Sequence, residues 1–174
     1  NDGHGTMVAG VVAQSTPDNV KIHAYKVMGE NGAGTSSGII AACEYINQLS
    51  SKPDIINFSI SVSPNEALEE QINNLIDAGV TVTIASGNEG YEIWRTPERM
   101  ENAIVVGSTD KQGNPSKFSN YGIQADICAP GELVYTSTMN GRYNIVDGTS
   151  FSAPMVAGAA AIVLMEHKNY TPKQ

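Results

Sequence analysis

The sequence predicts an α/β fold in which a mostly parallel β-sheet is flanked by helices. Short runs of β-branched and aliphatic residues alternate with stretches whose apolar residues recur every three or four positions. This alternation favours a parallel sheet, because a helix that crosses over the sheet returns the chain to the same edge. With 174 residues, 41% of them hydrophobic and 16% charged, the chain has the composition of one globular domain, residues 1–174.

Four strands and two crossover helices are predicted in the first part of the chain. The strand-like runs are residues 21–27, 54–60, 80–84 and 103–106. Between the first two runs, residues 36–46 are predicted to be helical, because Ile39 and Cys43 fall on one face behind a capping serine. A second helix is predicted over residues 64–78, and Gly79 ends it.

A β-hairpin and one long helix complete the predicted elements of the second part of the chain. Residues 133–138 and 143–146 are typical of paired strands, and Asn140-Gly141 between them is typical of a tight turn. A long helix is predicted from Ser150 to about residue 168.

Charge and composition argue against several partners. The net charge of -8 disfavours nucleic acid, and no uninterrupted apolar run approaches the roughly 18 to 20 residues of a membrane-spanning helix. Cys43 and Cys128 lie far apart without Cys-x-x-Cys spacing, which disfavours a zinc site. Both cysteines are predicted to be buried thiols.

The first motif that could carry chemistry is a histidine at the start of a predicted helix. His4 precedes an apolar stretch, residues 5–10, whose small side chains would allow close packing. A histidine in this position is also compatible with a surface or capping role. Only the other motifs therefore favour a catalytic role for His4.

The second motif, residues 148–154, places Ser150 at the N-terminus of the long helix. Unpaired backbone N–H groups and the positive end of the helix dipole face a hydroxyl there, so they can bind a developing oxyanion. Pro154 fits the first helical turn. The alternative is that Ser150 or Ser152 only caps an ordinary buried helix.

The third motif presents a polar amide after a predicted strand. Asn88 follows the run at residues 80–84, and ligands of open α/β sheets bind outside the carboxyl ends of the strands. Asn88 could therefore donate a hydrogen bond to a substrate. The alternative is an ordinary turn asparagine.

In this order along the chain, the three motifs resemble those of the subtilase family of serine proteases. Further stretches that look like landmarks of the family are residues 25–28, 54–59, 118–122 and 129–131. The resemblance covers nearly the whole chain and implies a three-layer subtilisin-like fold. It implies that Ser150 is the nucleophile, that His4 is its general base, and that Asn88 stabilises the oxyanion together with the Ser150 N–H.

The resemblance also implies where a polypeptide substrate binds. An extended peptide would pair with two backbone edges, and a pocket would receive one of its side chains. The implied substrate-binding residues are Gly32, Ala33, Gly34, Ser59, Ile60, Ser61, Ala85, Ser86 and Gly87. The family usually has glycine where Ser61 stands, so we expect a narrower pocket or altered backbone pairing.

The chain departs from the family pattern at the catalytic aspartate. That residue lies on the family's first strand, tens of residues before the histidine, whereas only Asn1, Asp2 and Gly3 precede His4. Asp2 is expected to be a solvated residue of the histidine motif. We expect the aspartate, the first strand and a C-terminal helix to lie outside this chain, and residues 1–174 alone to fold poorly and to be inactive or weakly active.

Residues 14–20 are shorter than the calcium-binding loop of many subtilases. Calcium needs about 6 to 8 oxygen ligands, so a strong calcium site is predicted to be absent here, although a weaker site elsewhere stays open. No other metal or cofactor is expected. The resemblance favours a secreted protein over an intracellular one, with a propeptide or the N-terminal segment as a further partner.

The leading prediction is a serine endopeptidase that uses a Ser/His/Asp mechanism. The alternative is a catalytically impaired pseudoprotease, or a peptide-binding or regulatory module, and the absent aspartate and Ser61 favour it. Retention of His4, Asn88 and Ser150 together argues against this alternative, because a core needs none of them.

Overall fold

The sheet that organises the molecule has four parallel strands in chain order. The structure is a computed structural model that describes residues 3–174. The strands are β1 (Ile55–Phe58), β2 (Thr81–Ala85), β3 (Ile104–Thr109) and β4 (Ile127–Pro130). Phe58 pairs with Ile84, Ala85 with Val106, and Val106 with Ile127. The predicted parallel sheet is therefore confirmed.

Four helices accompany the sheet: α1 (His4–Ser15), α2 (Ser36–Gln48), α3 (Glu66–Asp77) and α4 (Thr149–Glu166). The side chain of Thr35 caps α2 by accepting a hydrogen bond from Gly38 N–H at 3.1 Å. Asn65 caps α3 in the same way through Leu68 N–H at 3.0 Å. The three helices predicted to begin at residues 36, 64 and 150 are confirmed, and their observed first residues lie within a few positions of the predicted ones.

The sheet is the middle one of three layers, because the side chains of its strands point alternately to the helices on its two faces. Ile84 and Val105 are buried in the core beneath α2 and α3, whereas the adjacent Ala85 and Val106 pack against Ala153 of α4. Because successive side chains of a strand point to opposite faces, the sheet is covered on both sides. The three-layer α/β fold expected from the sequence is confirmed.

The predicted hairpin is present and lies apart from the main sheet. Strands β5 (Val134–Thr138) and β6 (Arg142–Val146) pair antiparallel. Asn140 and Gly141 both have positive φ, 64° and 68°, at the tip. Asparagine and glycine tolerate this conformation best, which explains the turn.

Two expectations from the sequence are wrong, and one strand was not predicted. Residues 21–27 do not form a strand, since residues 21–26 are exposed and the region joins no ladder among the described residues. Strand β4 was not predicted because it is short and ends in Pro130, as edge strands can. Cys43 is buried, but Cys128 is exposed because it lies on that outer strand.

Helix α4 is 18 residues long with a mean hydropathy of 1.4, so by length and composition it could cross a membrane. No unbroken apolar run is visible in the sequence because Ser150, Ser152 and Pro154 interrupt it. The helix contacts α1 and all four strands of the sheet, and 39% of it is buried. These contacts pack one side of α4 against the sheet and α1. The absence of a membrane partner stays a prediction.

Two glycines fix the position of α1 between α4 and the hairpin. A Cβ on Gly158 of α4 would lie 2.6 Å from Ser15 Cβ and 2.8 Å from Ser15 O. A Cβ on Gly10 of α1 would lie 2.2 Å from Ser137 Oγ. Both distances are too short for non-bonded atoms, so the two helices and the hairpin approach this closely only because these positions are glycine.

Replacing Gly158 with alanine should therefore destabilise the protein. The methyl group meets backbone atoms of Ser15, which cannot rotate away, and overpacking of this kind costs about 1 to 3 kcal/mol. Urea unfolding of the full-length protein measures the change. Gly5→Ala is the matched control, because a Cβ there meets nothing within 4 Å. Equal stability of Gly158→Ala and the wild type would contradict the close helix crossing.

Candidate active site

The site begins with His4, the first residue of α1. Gly3 precedes it with φ 80°, a left-handed conformation that lets the chain turn sharply into the helix. The His4 ring is half-buried, and its centroid lies 6.1 Å from that of Phe151 in the first turn of α4. The N-termini of α1 and α4 therefore meet, which brings residues nearly 150 positions apart into one place. The expectation for Asp2 lies outside the described residues.

The two serines at the start of α4 have different surroundings. Ser152 is fully buried, and its hydroxyl donates to Pro130 O at 3.3 Å. Ser150 is half-buried and borders an open cleft of about 540 Å³. Of the two, Ser150 is the one placed to meet a ligand. Gly148 begins the helix with φ 146°, a value that side chains disfavour.

The backbone carbonyl of Ser150 is held by a side chain from the sheet. In a regular helix this carbonyl would accept from the residue four positions later, but that residue is Pro154, which has no N–H. The hydroxyl of Ser59 donates to it instead, at 2.9 Å. Asn57 Nδ2 in turn donates to Ser59 Oγ at 2.9 Å. Strand β1 thus fixes the backbone of Ser150 in space.

Asn88 is oriented by the residue before Ser150. Its side-chain oxygen accepts hydrogen bonds from Thr149 N–H at 2.8 Å and from the Thr149 hydroxyl at 3.0 Å. The same hydroxyl accepts from Gly87 N–H at 3.2 Å. Because the amide oxygen is held by Thr149, the amide NH₂ is the end of Asn88 that remains for a ligand. Thr149 was not predicted from the sequence as a site residue, although its place in the serine motif was a usable signal.

One cleft brings the three predicted catalytic residues together with most of the predicted substrate-binding residues. The residues bordering it include His4, Asn88, Ser150, Gly32, Ala33, Gly34, Ser59, Ile60, Ser61, Ala85 and Gly87. Ser86 differs: it is fully buried, and its hydroxyl donates to Asn120 O at 3.1 Å. The side chain of Ser86 therefore faces the interior, and only its backbone could take part in the site.

The two backbone edges predicted to hold a peptide both border the cleft, and along the chain one comes before β1 and the other after it. Gly34 forms an antiparallel bridge with Met28, and Gly29 N–H donates to Ala33 O at 2.7 Å. On the other edge, Val62 N–H donates to Thr96 O at 2.8 Å, just beyond Ser61. Both segments are thus anchored at one end where they border the cleft.

Glu98 is a cleft residue that the sequence analysis did not single out. It is fully buried, and within residues 3–174 neither of its carboxylate oxygens has a hydrogen-bond partner. Burial raises the pKa of Glu98 to about 7, and the negative charge of Glu89 adds to the rise. The nearby Ser61 hydroxyl and Asn120 amide offset part of it. No periodicity or motif marks Glu98 in the sequence, because it lies in an irregular segment.

Removing this carboxylate should stabilise the protein at high pH. The unfolded chain ionises Glu98 near pH 4.5 but the folded chain only near pH 7, so the free energy of unfolding falls between these values. Glu98→Gln should be more stable than wild type by about 1 to 3 kcal/mol at pH 8 and nearly equal to it at pH 4. Urea unfolding at both pH values measures this. The exposed Glu101→Gln is the control. A pH-independent effect of Glu98→Gln would contradict the assignment.

Known proteins share this arrangement of the chain. The model of the subtilase family matches residues 1–174. The extracellular serine proteinase of Thermus sp. (strain Rt41A) is 37% identical over 99% of this chain and 44% of its own length. Subtilisin Savinase of Lederbergia lenta is 36% identical over 99% of this chain and 67% of its own length. A solved cold-adapted subtilisin-like serine proteinase superposes with a TM-score of 0.92 at 35% identity, over 99% of this chain and 64% of that one.

The chain thus spans about half the length of the curated relatives it matches, and the match extends over all of its own length. Fold, sequence and the order of the three motifs agree with one another. This chain belongs to the subtilase family of subtilisin-like serine proteases.

Proposed function

We propose that the protein is a serine endopeptidase whose nucleophile is Ser150. The observation that carries the proposal is the shared cleft, where His4, Ser150 and Asn88 meet although they come from α1, α4 and the end of β2. The family relatives named as serine proteinases support the reaction class. Their names also support secretion, which we propose for this protein.

In the proposed reaction, His4 removes the proton of the Ser150 hydroxyl as this oxygen attacks the peptide carbonyl. The negative charge that develops on the carbonyl oxygen is stabilised by the Asn88 amide and by the Ser150 N–H at the positive end of α4. His4 then returns the proton to the leaving amine, and water hydrolyses the acyl-enzyme in a second cycle. The carboxylate that orients His4 is supplied from outside residues 1–174 in this proposal.

The substrate in this proposal is an extended polypeptide. It pairs with residues 32–34 on one side and residues 59–61 on the other, in the manner of a strand added to a sheet. Both segments border the cleft, which supports this placement. The same cleft supports a second candidate, a peptide-binding module without catalysis, because Ser61 places a side chain where the family usually has glycine.

A fluorophosphonate probe separates the two candidates. Full-length protein incubated with the probe should carry one phosphonyl group on Ser150, found by mass spectrometry of the digested protein. An activated serine reacts with this reagent, whereas an ordinary hydroxyl does not. The Ser150→Ala variant is the control and should remain unlabelled. Folded wild-type protein that stays unlabelled would favour the binding module and overturn the endopeptidase.

Thr149 should contribute to turnover through Asn88. Thr149→Val removes the hydroxyl that donates to the Asn88 oxygen, so the amide loses one of its two anchors. A hydrogen bond contributes about 0.5 to 1.5 kcal/mol, so kcat should fall roughly 2- to 10-fold with little change in KM. Thr149→Ser keeps the hydroxyl and should stay near wild type. Peptide-anilide hydrolysis measures both, and equal kcat for the two variants would contradict this role.

A further inference from the structure

The unpartnered carboxylate of Glu98 borders the cleft that would receive substrate. A fully buried acid is ordinarily paired with a cation or hydrogen-bonded, since desolvation of an unpaired charge is unfavourable. Within the described residues Glu98 has no ion-pair partner, and its two oxygens meet no donor in good hydrogen-bond geometry, although the side chains of Ser61 and Asn120 lie near enough to lower its pKa. A partner can still arrive from the cleft, because Glu98 is part of its lining.

The charges around Glu98 do not cancel. The neighbouring cation, Arg95, is already paired with Glu89, with 2.8 Å between Nη1 and Oε1. The other oxygen of Glu89 accepts from Asn120 Nδ2 at 2.8 Å and from Asn88 N–H at 3.1 Å. When both carboxylates are ionised, Glu89, Glu98 and Arg95 together carry one net negative charge. That charge is on Glu98, since Glu89 holds the arginine.

Glu98 lies near the predicted side-chain pocket, which the resemblance to the family places at residues 85–87. Its carboxylate is within interaction range of Ser61 and Asn120. Asn120 in turn lies against Gly87, where a Cβ would come within 2.2 Å of Asn120 Nδ2. Gly87 and Ser61 both border the cleft. An acidic group is therefore part of the pocket wall near Ser61 and Gly87.

We propose that Glu98 makes this pocket select a cationic side chain, lysine or arginine, in the residue whose carbonyl is attacked. The proposal rests on the proposed endopeptidase function and names its substrate class. An ammonium or guanidinium group that enters the pocket supplies the partner that Glu98 lacks, while the aliphatic stem of the side chain contacts Ile60 and Ala85. An apolar side chain of the same length leaves the carboxylate unpaired.

A pair of matched substrates tests the proposal in the full-length protein. Two peptide anilides that differ only in lysine or norleucine before the scissile bond are compared at pH 8. Wild type should prefer lysine in kcat/KM by about 10- to 100-fold, the range expected for a hydrogen bond to a charged group. Glu98→Gln should lower this lysine-to-norleucine ratio at least tenfold. Glu101→Gln, an exposed change of the same chemistry, should leave the ratio as in wild type.

Two further measurements separate the possible failures. Labelling of Ser150 by the fluorophosphonate shows that catalysis is intact, so a labelled enzyme with no lysine preference rejects the role of Glu98 alone. Absence of both labelling and hydrolysis rejects the endopeptidase and this inference with it. If Glu98→Gln does not fold, inhibition of the wild type decides the question. Butylammonium should then compete with the norleucine substrate at least tenfold better than 1-butanol, and equal inhibition would overturn the proposal.

Discussion

The close crossing of α1 and α4 is the constraint on which the site depends. His4 and Ser150 begin these two helices, and nothing in the local sequence of either would bring them together. Gly158 lets the backbone of Ser15 approach α4, and Gly10 lets the other side of α1 approach the hairpin. These two close contacts restrict the movement of α1, so packing of the helix helps to hold the imidazole beside the serine.

A second constraint acts on the backbone around the nucleophile. Pro154 leaves the Ser150 carbonyl without its helical donor, and Ser59 fills that place. On the preceding residue, Thr149 binds the Asn88 oxygen with its N–H and its hydroxyl. The first turn of α4 is thus tied to strand β1 on one side and to the end of β2 on the other. Such pre-organisation lets polar groups act without reorganising during a reaction.

Much of the fold and the core of the site could be predicted from the sequence, because both depend on local patterns and on motifs. The strand–helix alternation predicted the parallel sheet, and His4, Asn88 and Ser150 were singled out from their motifs. Residues 21–27 have a strand-like pattern but lack a partner, which is a property of tertiary structure. Glu98 was missed for a similar reason: only the fold shows that a charged residue in an irregular segment is buried against the cleft.

The hairpin also holds helix α1, which begins with His4. Thr136 donates to Met7 O at 2.7 Å and Ser137 to Thr6 O at 3.3 Å, both in the first turn of α1. These bonds join the first turn of α1 to β5 and so restrict rotation of α1 about its own axis, which would move His4 relative to the cleft. The C-terminal part of β5 therefore helps to hold the His4 imidazole in position. At the tip, Asn140 and Gly141 are exposed, and exposed loop tips tolerate insertions best, whereas the neighbouring Met139 lies against Gly3, the residue before His4.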